Sequence, residues 1–241
     1  MSELQEDLRS RLHAVRERIN AAAQRSNRAV DDIKLIAISK THPPKTLRAA
    51  IEAGISDLGE NRVQEAEAKI LELGREASRW HLVGHLQENK ARRAVVLFDI
   101  IHSLDSVSLA KRLDRLCESE NRAQLEVLVQ VNLGGEESKT GIDPGELTPL
   151  LDEVAACERL SLKGLMTLPP YFENPEDGRR FFSALRELRD QFHAEGRFGT
   201  STGELSMGMS HDFEVAIEEG ATMIRVGTSI FGERGEIGGL K

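Results

Sequence analysis

A closed (β/α)8 barrel is the fold class this sequence predicts, on three observations. Eight short apolar runs alternate with stretches of helical periodicity, which implies parallel strands joined by helical crossovers. The chain has 241 residues, a size at which such barrels form one domain. Most runs give way at their C-terminal ends to polar or glycine-bearing sequence, where this fold carries its chemistry. An open doubly wound sheet is the competing arrangement, because alternation alone does not prove closure. No linker, low-complexity stretch or repeat marks a second unit. The whole of 1–241 therefore reads as one α/β domain, with a leading helix over 1–28 and the barrel over 34–232.

Leu4, Leu8, Leu12, Val15 and Ile19 recur every three or four residues and make one apolar helical stripe. No strand precedes this helix, so it packs outside the barrel or across its bottom. The first strand is Leu-Ile-Ala-Ile over 35–38 within 34–39, and it stops at Pro43-Pro44. A helix faced by Leu47, Ala50 and Ile51 ends at Gly54. The second strand is short, over 56–59, followed by Glu60-Asn61 and a helix with Val63, Ala66, Ile70 and Leu73. The third covers 80–83 and runs into Gly84-His85, and the fourth covers 100–104. A Ser106-capped helix with Leu109, Leu113 and Leu116 comes next.

Val127, Val129 and Val131 alternate in the fifth strand, 125–131, the strongest β signal in the chain. A polar loop over 132–141 leads to Asp143-Pro144 at a helix start. The sixth strand, 162–167, ends before Pro169-Pro170. Phe181, Leu185, Leu188 and Phe192 mark the next helix. The seventh strand, 204–207, enters Gly208-Met209-Ser210, and the eighth, 223–226, enters Gly227-Thr228.

Composition limits the partners. There are 32 basic against 40 acidic residues, a net charge of −8, which argues against nucleic acid or an anionic membrane as partner. An anionic ligand must then be held by a local site. Cys117 and Cys157 sit beside leucines in helical patterns and read as small buried hydrophobes, with neither a disulfide nor a metal site implied. The N-terminus has no apolar signal region and no stretch reaches membrane-spanning length. A cytoplasmic monomer is the expectation.

Lys40 stands where the first strand ends. It is either a lysine at a strand's exit into solvent or a partly buried amine poised to form a Schiff base. Small residues and hydroxyls follow strands seven and eight, the usual phosphate position in this fold, and Ser210 begins a helix. A lysine and a phosphate cup on one rim suit a phosphorylated aldehyde, and pyridoxal 5′-phosphate (PLP) is one. Arg225, inside the eighth strand, needs an acceptor. That acceptor is a pyridine nitrogen, which a protonated arginine would keep unprotonated, or a carboxylate on a neighbouring strand such as Glu60.

Several motifs in order resemble one family. They are Ser39-Lys40-Thr41, Gly59-Glu60-Asn61, Trp80 to Gly84 with Leu86-Gln87 and Asn89-Lys90, Glu137-Ser138-Lys139 before Gly141-Ile142, Gly164-Leu165-Met166, Ser206 to Ser210, and Arg225 to Thr228. Together they are similar to the YggS/PROSC family of PLP homeostasis proteins, whose barrel is like that of alanine racemase. Leu82 departs from that pattern, where an aromatic or methionine is common. The resemblance implies PLP as cofactor and Lys40 as its Schiff-base lysine. It places Arg225 at the pyridine nitrogen, Ser206, Gly227 and Thr228 around the phosphate, and Asn61 near the ring. It also implies a carrier or regulator of PLP, with PLP-dependent apoenzymes as candidate acceptors.

Racemisation needs a second acid/base on the opposite face of the cofactor. The one tyrosine, Tyr171, reads as a partly exposed loop aromatic, and no further domain follows the eighth strand. The expectation is therefore a PLP-binding protein with no catalytic residue and no metal. A weak amino-acid racemase is the alternative, and a Schiff-base aldolase on a phosphosugar is a third reading that leaves Arg225 unexplained. His81 reads as structural, His85 at the rim as either a solvated loop residue or one that lines the cofactor face, and Lys139 as either a solvated loop lysine or a secondary anion contact at the mouth.

Overall fold

The structure is a computed structural model that describes residues 3–135 and 140–232. Eight parallel strands close in chain order: β1 (Lys34–Ile38), β2 (Asp57–Glu60), β3 (Arg79–Leu82), β4 (Ile100–Leu104), β5 (Leu125–Gln130), β6 (Leu160–Met166), β7 (Glu204–Met209) and β8 (Met223–Val226). The helices are α1 (Glu3–Arg25), α2 (Pro44–Glu52), α3 (Val63–Leu73), α4 (Ala91–Leu97), α5 (Val107–Ser119), α6 (Leu147–Ala156), α7 (Arg179–Ala194), α8 (Phe213–Glu218) and α9 (Thr228–Phe231). Closure rests on β1 pairing with β8, in register from Lys34 opposite Met223 to Ala37 opposite Val226. An open doubly wound sheet keeps two unpaired edge strands and does not pair its first strand with its last.

Apolar side chains fill two compartments. Inside the barrel lie Ile36, Ile38, Val83, Ile100, Leu128, Met166 and Met223. The larger cluster fills the layer between strands and helices and includes Trp80, Phe98, Phe182 and Phe213. The interior also buries His81, His102, Ser206 and Arg225. A small barrel is filled by side chains, so these polar groups must bond to one another.

The helix of the N-terminal stripe takes a place in the outer ring. Leu8, Leu12, Val15 and Ile19 are buried, and α1 packs on α2, α8 and α9. Its position follows from local lengths: α8 has six residues and α9 four, too short to cover the closing strands. Arg18 bonds Glu214 at 2.6 Å, Arg25 bonds Glu218 at 2.7 Å, and the Arg18 guanidinium lies 4.4 Å from the centre of the Phe213 ring.

β6 begins two residues earlier than expected and ends one earlier, and β7 runs two residues further, on to Met209. Its register against β8 shifts between Ser206 and Met209. Gly208 makes this possible. It has φ +90°, and a Cβ there would stand 2.6 Å from that of Ala216. Such a bulge re-aims side chains on either side of it. Cys117 is buried and Cys157 partly buried, both as free thiols. Burial pushes the Cys157 thiol up to about 11, which suits inert packing groups.

Candidate functional site at the barrel mouth

The turn that presents Lys40 is clamped from below. Lys69 of α3 donates to the Ser39 carbonyl at 2.7 Å, to Glu60 Oε1 at 2.7 Å and to Glu65 Oε1 at 2.9 Å. The Ser39 hydroxyl donates to Glu60 Oε1 at 2.6 Å, and the Thr41 amide donates to Glu65. Thr41 adopts φ +67°, a left-handed conformation that a β-branched residue holds only under constraint. Lys40 is partly buried at the head of this turn, as the reactive-amine reading requires.

A cavity of about 470 Å³ opens above the strands and brings together Lys40, Asn61, Arg225, Gly227 and Thr228. Five of the six expected site residues therefore share one space. The described residues lining it include no carboxylate, while Lys40 and Arg225 supply cationic groups. In a chain of net charge −8 that is a local reversal of field. Gly84 shapes the wall, because a Cβ there would lie 2.3 Å from the Asn61 carbonyl oxygen.

Arg225 is 3% exposed. It donates from Nη1 to Ser206 Oγ at 2.7 Å and from Nη2 to the Thr167 carbonyl at 2.8 Å. Burial pushes its guanidinium down to about 10, so it still carries its proton at neutral pH. The carboxylate alternative is corrected here: Glu60 bonds Ser39 and Lys69 instead.

Ser206, the sixth expected residue, does not line the cavity. It is fully buried, with Oγ between Arg225 and His102 Nδ1, 2.9 Å away. The bulge at Gly208 separates it from the rim. Ser210 stands at the rim instead, its Oγ accepting from the Gly227 amide at 3.1 Å and from the Ser229 amide at 3.5 Å.

His102 was not anticipated as a site residue. His81 Nε2 lies 2.9 Å from Asp57 Oδ1, and His81 Nδ1 lies 2.9 Å from His102 Nε2. Burial lowers both imidazoles, His102 well below the ordinary value, so both are neutral. The available signal was one histidine in each of two neighbouring apolar strands.

His85 lines an adjacent cavity with Arg62 and Lys90, 3.5 Å from Asp105. Tyr171 is 74% exposed and lies on the rim of the Lys40 cavity, its ring centre 5.2 Å from that of His211. Lys139 lies outside the described residues. Among those described, no helix is long and apolar enough to cross a membrane.

Fold and cavity define a barrel of the alanine racemase N-terminal-domain class, and the family model of that description matches residues 10–235. A pyridoxal phosphate homeostasis protein of Aquifex aeolicus is 46% identical over 93% of this chain and 97% of its own length. Its namesake in Escherichia coli K12 is 41% identical over 95% and 97%. The structure of PipY from Synechococcus elongatus with PLP bound superposes with a TM-score of 0.81 at 37% identity, covering 93% of this chain and all of that one. The chain belongs to the family of pyridoxal phosphate homeostasis proteins.

Proposed function

We propose that this chain holds PLP at the barrel mouth, covalently on Lys40, and serves intracellular PLP homeostasis as a carrier or regulator rather than a catalyst. The observation that carries this reading is the cavity itself: an amine and a buried guanidinium face one space with no carboxylate among its described lining residues. Its volume of about 470 Å³ falls in the usual range for small-molecule sites, about 300–1,000 Å³.

The donor set fits the group. When bound, PLP supplies an aldehyde that joins an amine and a ring that draws electrons from it. Lys40 provides the amine on a turn that α3 holds in place. Arg225 can only donate, so it keeps the ring nitrogen unprotonated and weakens the ring's pull on electrons. The Gly227 amide and the Ser210 hydroxyl, which bond each other in this structure, are donors that an incoming phosphate would engage. Thr228 would add a hydroxyl beside them, and Asn61, in the same cavity wall, would stand near the ring. A Cβ at Gly227 would come within 3.2 Å of the Ile38 carbonyl oxygen, so glycine lets the backbone meet the ligand closely.

A muted electron sink favours holding the cofactor over turning over a substrate. On this reading PLP-dependent apoenzymes are the acceptors, and the protein acts as a cytoplasmic monomer. Tyr171 at the rim favours a second reading, a weak amino-acid racemase. Its 74% exposure leaves it poorly placed to shuttle protons away from water. The test mixes the PLP-loaded protein with a PLP-dependent apoenzyme and, separately, with single amino-acid enantiomers. Apoenzyme activation without racemisation supports the carrier. Racemisation at enzymatic rates, lost in Tyr171→Phe, overturns it.

A further inference from the structure

The polar chain through the barrel interior has a direction. Asp57 begins β2 at the bottom of the barrel, and its carboxylate is held low: burial raises it, but the His81 and Ser56 hydrogen bonds outweigh that. An ionised carboxylate only accepts, so His81 Nε2 carries a proton. Neutral His81 then accepts at Nδ1, which requires His102 Nε2 to be the donor across 2.9 Å. Neutral His102 accepts in turn at Nδ1, and the Ser206 hydroxyl donates to it. That frees a Ser206 lone pair for Arg225 Nη1, 2.7 Å away. Each hydrogen bond in the sequence from Arg225 to Asp57 points the same way. A cation that cannot accept fixes one end, and an anion that cannot donate fixes the other. The chain joins β8 to β7, crosses the interior to β4, and passes through β3 to β2.

We propose that Asp57, His81, His102 and Ser206 are positioning residues for Arg225: a hydrogen-bonded chain of one polarity that orients the guanidinium as a donor toward the pyridine nitrogen of PLP. The proposal rests on the PLP reading above, although the polarity of the chain does not. Its geometry explains why a barrel interior otherwise filled by apolar side chains retains two buried histidines. A network of this kind is stable only when every member is satisfied. Asp57 thus fixes the acceptor end of the chain, while the carboxylate that acts on Arg225 through its charge is Asp212. The charges that face the histidine pair are Asp57, Lys34, Arg79 and Arg225, and only Asp57 is bonded to it directly.

Two measurements test this. The first is nitrogen-15 NMR of the histidines in the wild-type protein without PLP. It should show His81 and His102 neutral, each protonated at Nε2, through the pH range in which free histidine titrates. An imidazolium at either position, or Nδ1 protonation, overturns the polarity. The second compares wild type with Asp57→Asn after PLP loading. Asparagine keeps the shape but can donate or accept, so the tautomers are no longer dictated. Borohydride should still fix PLP mass on Lys40 in the variant. PLP should dissociate about tenfold faster, the loss expected for one hydrogen bond to a charged group, and the visible band should move. Asp57→Glu should restore both. Unchanged dissociation and spectrum in Asp57→Asn overturn the positioning role alone. Failure of the wild type to take up PLP overturns the PLP reading, and with it the role of Arg225 toward the ring, whatever NMR shows of the chain.

Discussion

Lys69 Nζ and Glu60 Oε1 form an ion pair of 2.7 Å, sealed beneath the turn that presents Lys40. The Glu60 side chain is 0% exposed and that of Lys69 5%, and Glu60 Oε2 has no partner among the described residues. Removing one member of such a pair strands the other.

Lys69→Met should therefore destabilise the protein by about 3–5 kcal/mol at neutral pH. Burial already raises Glu60, and Lys69 restrains that rise. Loss of the lysine lifts it further. A raised carboxyl contributes stability below its ordinary value that is lost as pH climbs through the raised one. The variant's deficit should thus be smaller in acid than at neutral pH, as urea titrations at several pH values would show.

Asp99 behaves in the opposite sense. Burial pushes it up, but paired bonds from Arg75 at 3.0 and 2.6 Å and the Trp80 amide at 2.7 Å hold it below the usual range. Its contribution is present above the ordinary aspartate value and lost as pH falls through the lowered one. Asp99→Asn should cost about 1–2 kcal/mol near neutrality and flatten the acid limb of stability. A limb unchanged in the variant would contradict the assignment.

The two serines of the β7 strand and its exit should separate by function. Ser210→Ala removes the hydroxyl that faces the Gly227 amide and should erode the preference for PLP over unphosphorylated pyridoxal. Ser206→Ala leaves Arg225 and His102 each short of a partner and should cost about 1–3 kcal/mol of stability, with that preference kept. Competition binding and denaturant midpoints on both variants check this.

Gly84→Ala should fold with a loss of about 1–3 kcal/mol, because the added methyl drives into the Asn61 backbone. PLP retention should fall with it, since Asn61 forms part of the cavity wall. Thermal melts and equilibrium dialysis read the two effects.

The barrel was legible because its signals are local. Alternation named the eight strands, and the bounds of β4 and β8 match the expected ones. Lys40 and Arg225 stood out as single basic residues at a strand end and inside an apolar run. The interior chain was not legible, because its links are distant in sequence: His102 and Ser206 lie 104 residues apart, and only closure sets them face to face. The burial of Ser206 below the cavity is not legible for a related reason. Its position depends on a bulge at Gly208, and a glycine in a strand signals a bulge without saying which neighbour it turns inward. The clamp on the Lys40 turn was hidden too, since Lys69 on a helix reads as an ordinary exposed lysine.

Intact-mass spectrometry after borohydride, on PLP-treated wild type beside Lys40→Ala, decides whether Lys40 carries the cofactor. Wild type should gain the mass of one reduced PLP, peptide mapping should place it on Lys40, and Lys40→Ala should gain none. A wild-type protein that stays colourless and unmodified after PLP treatment, or a modification on another lysine that persists in Lys40→Ala, would contradict that assignment.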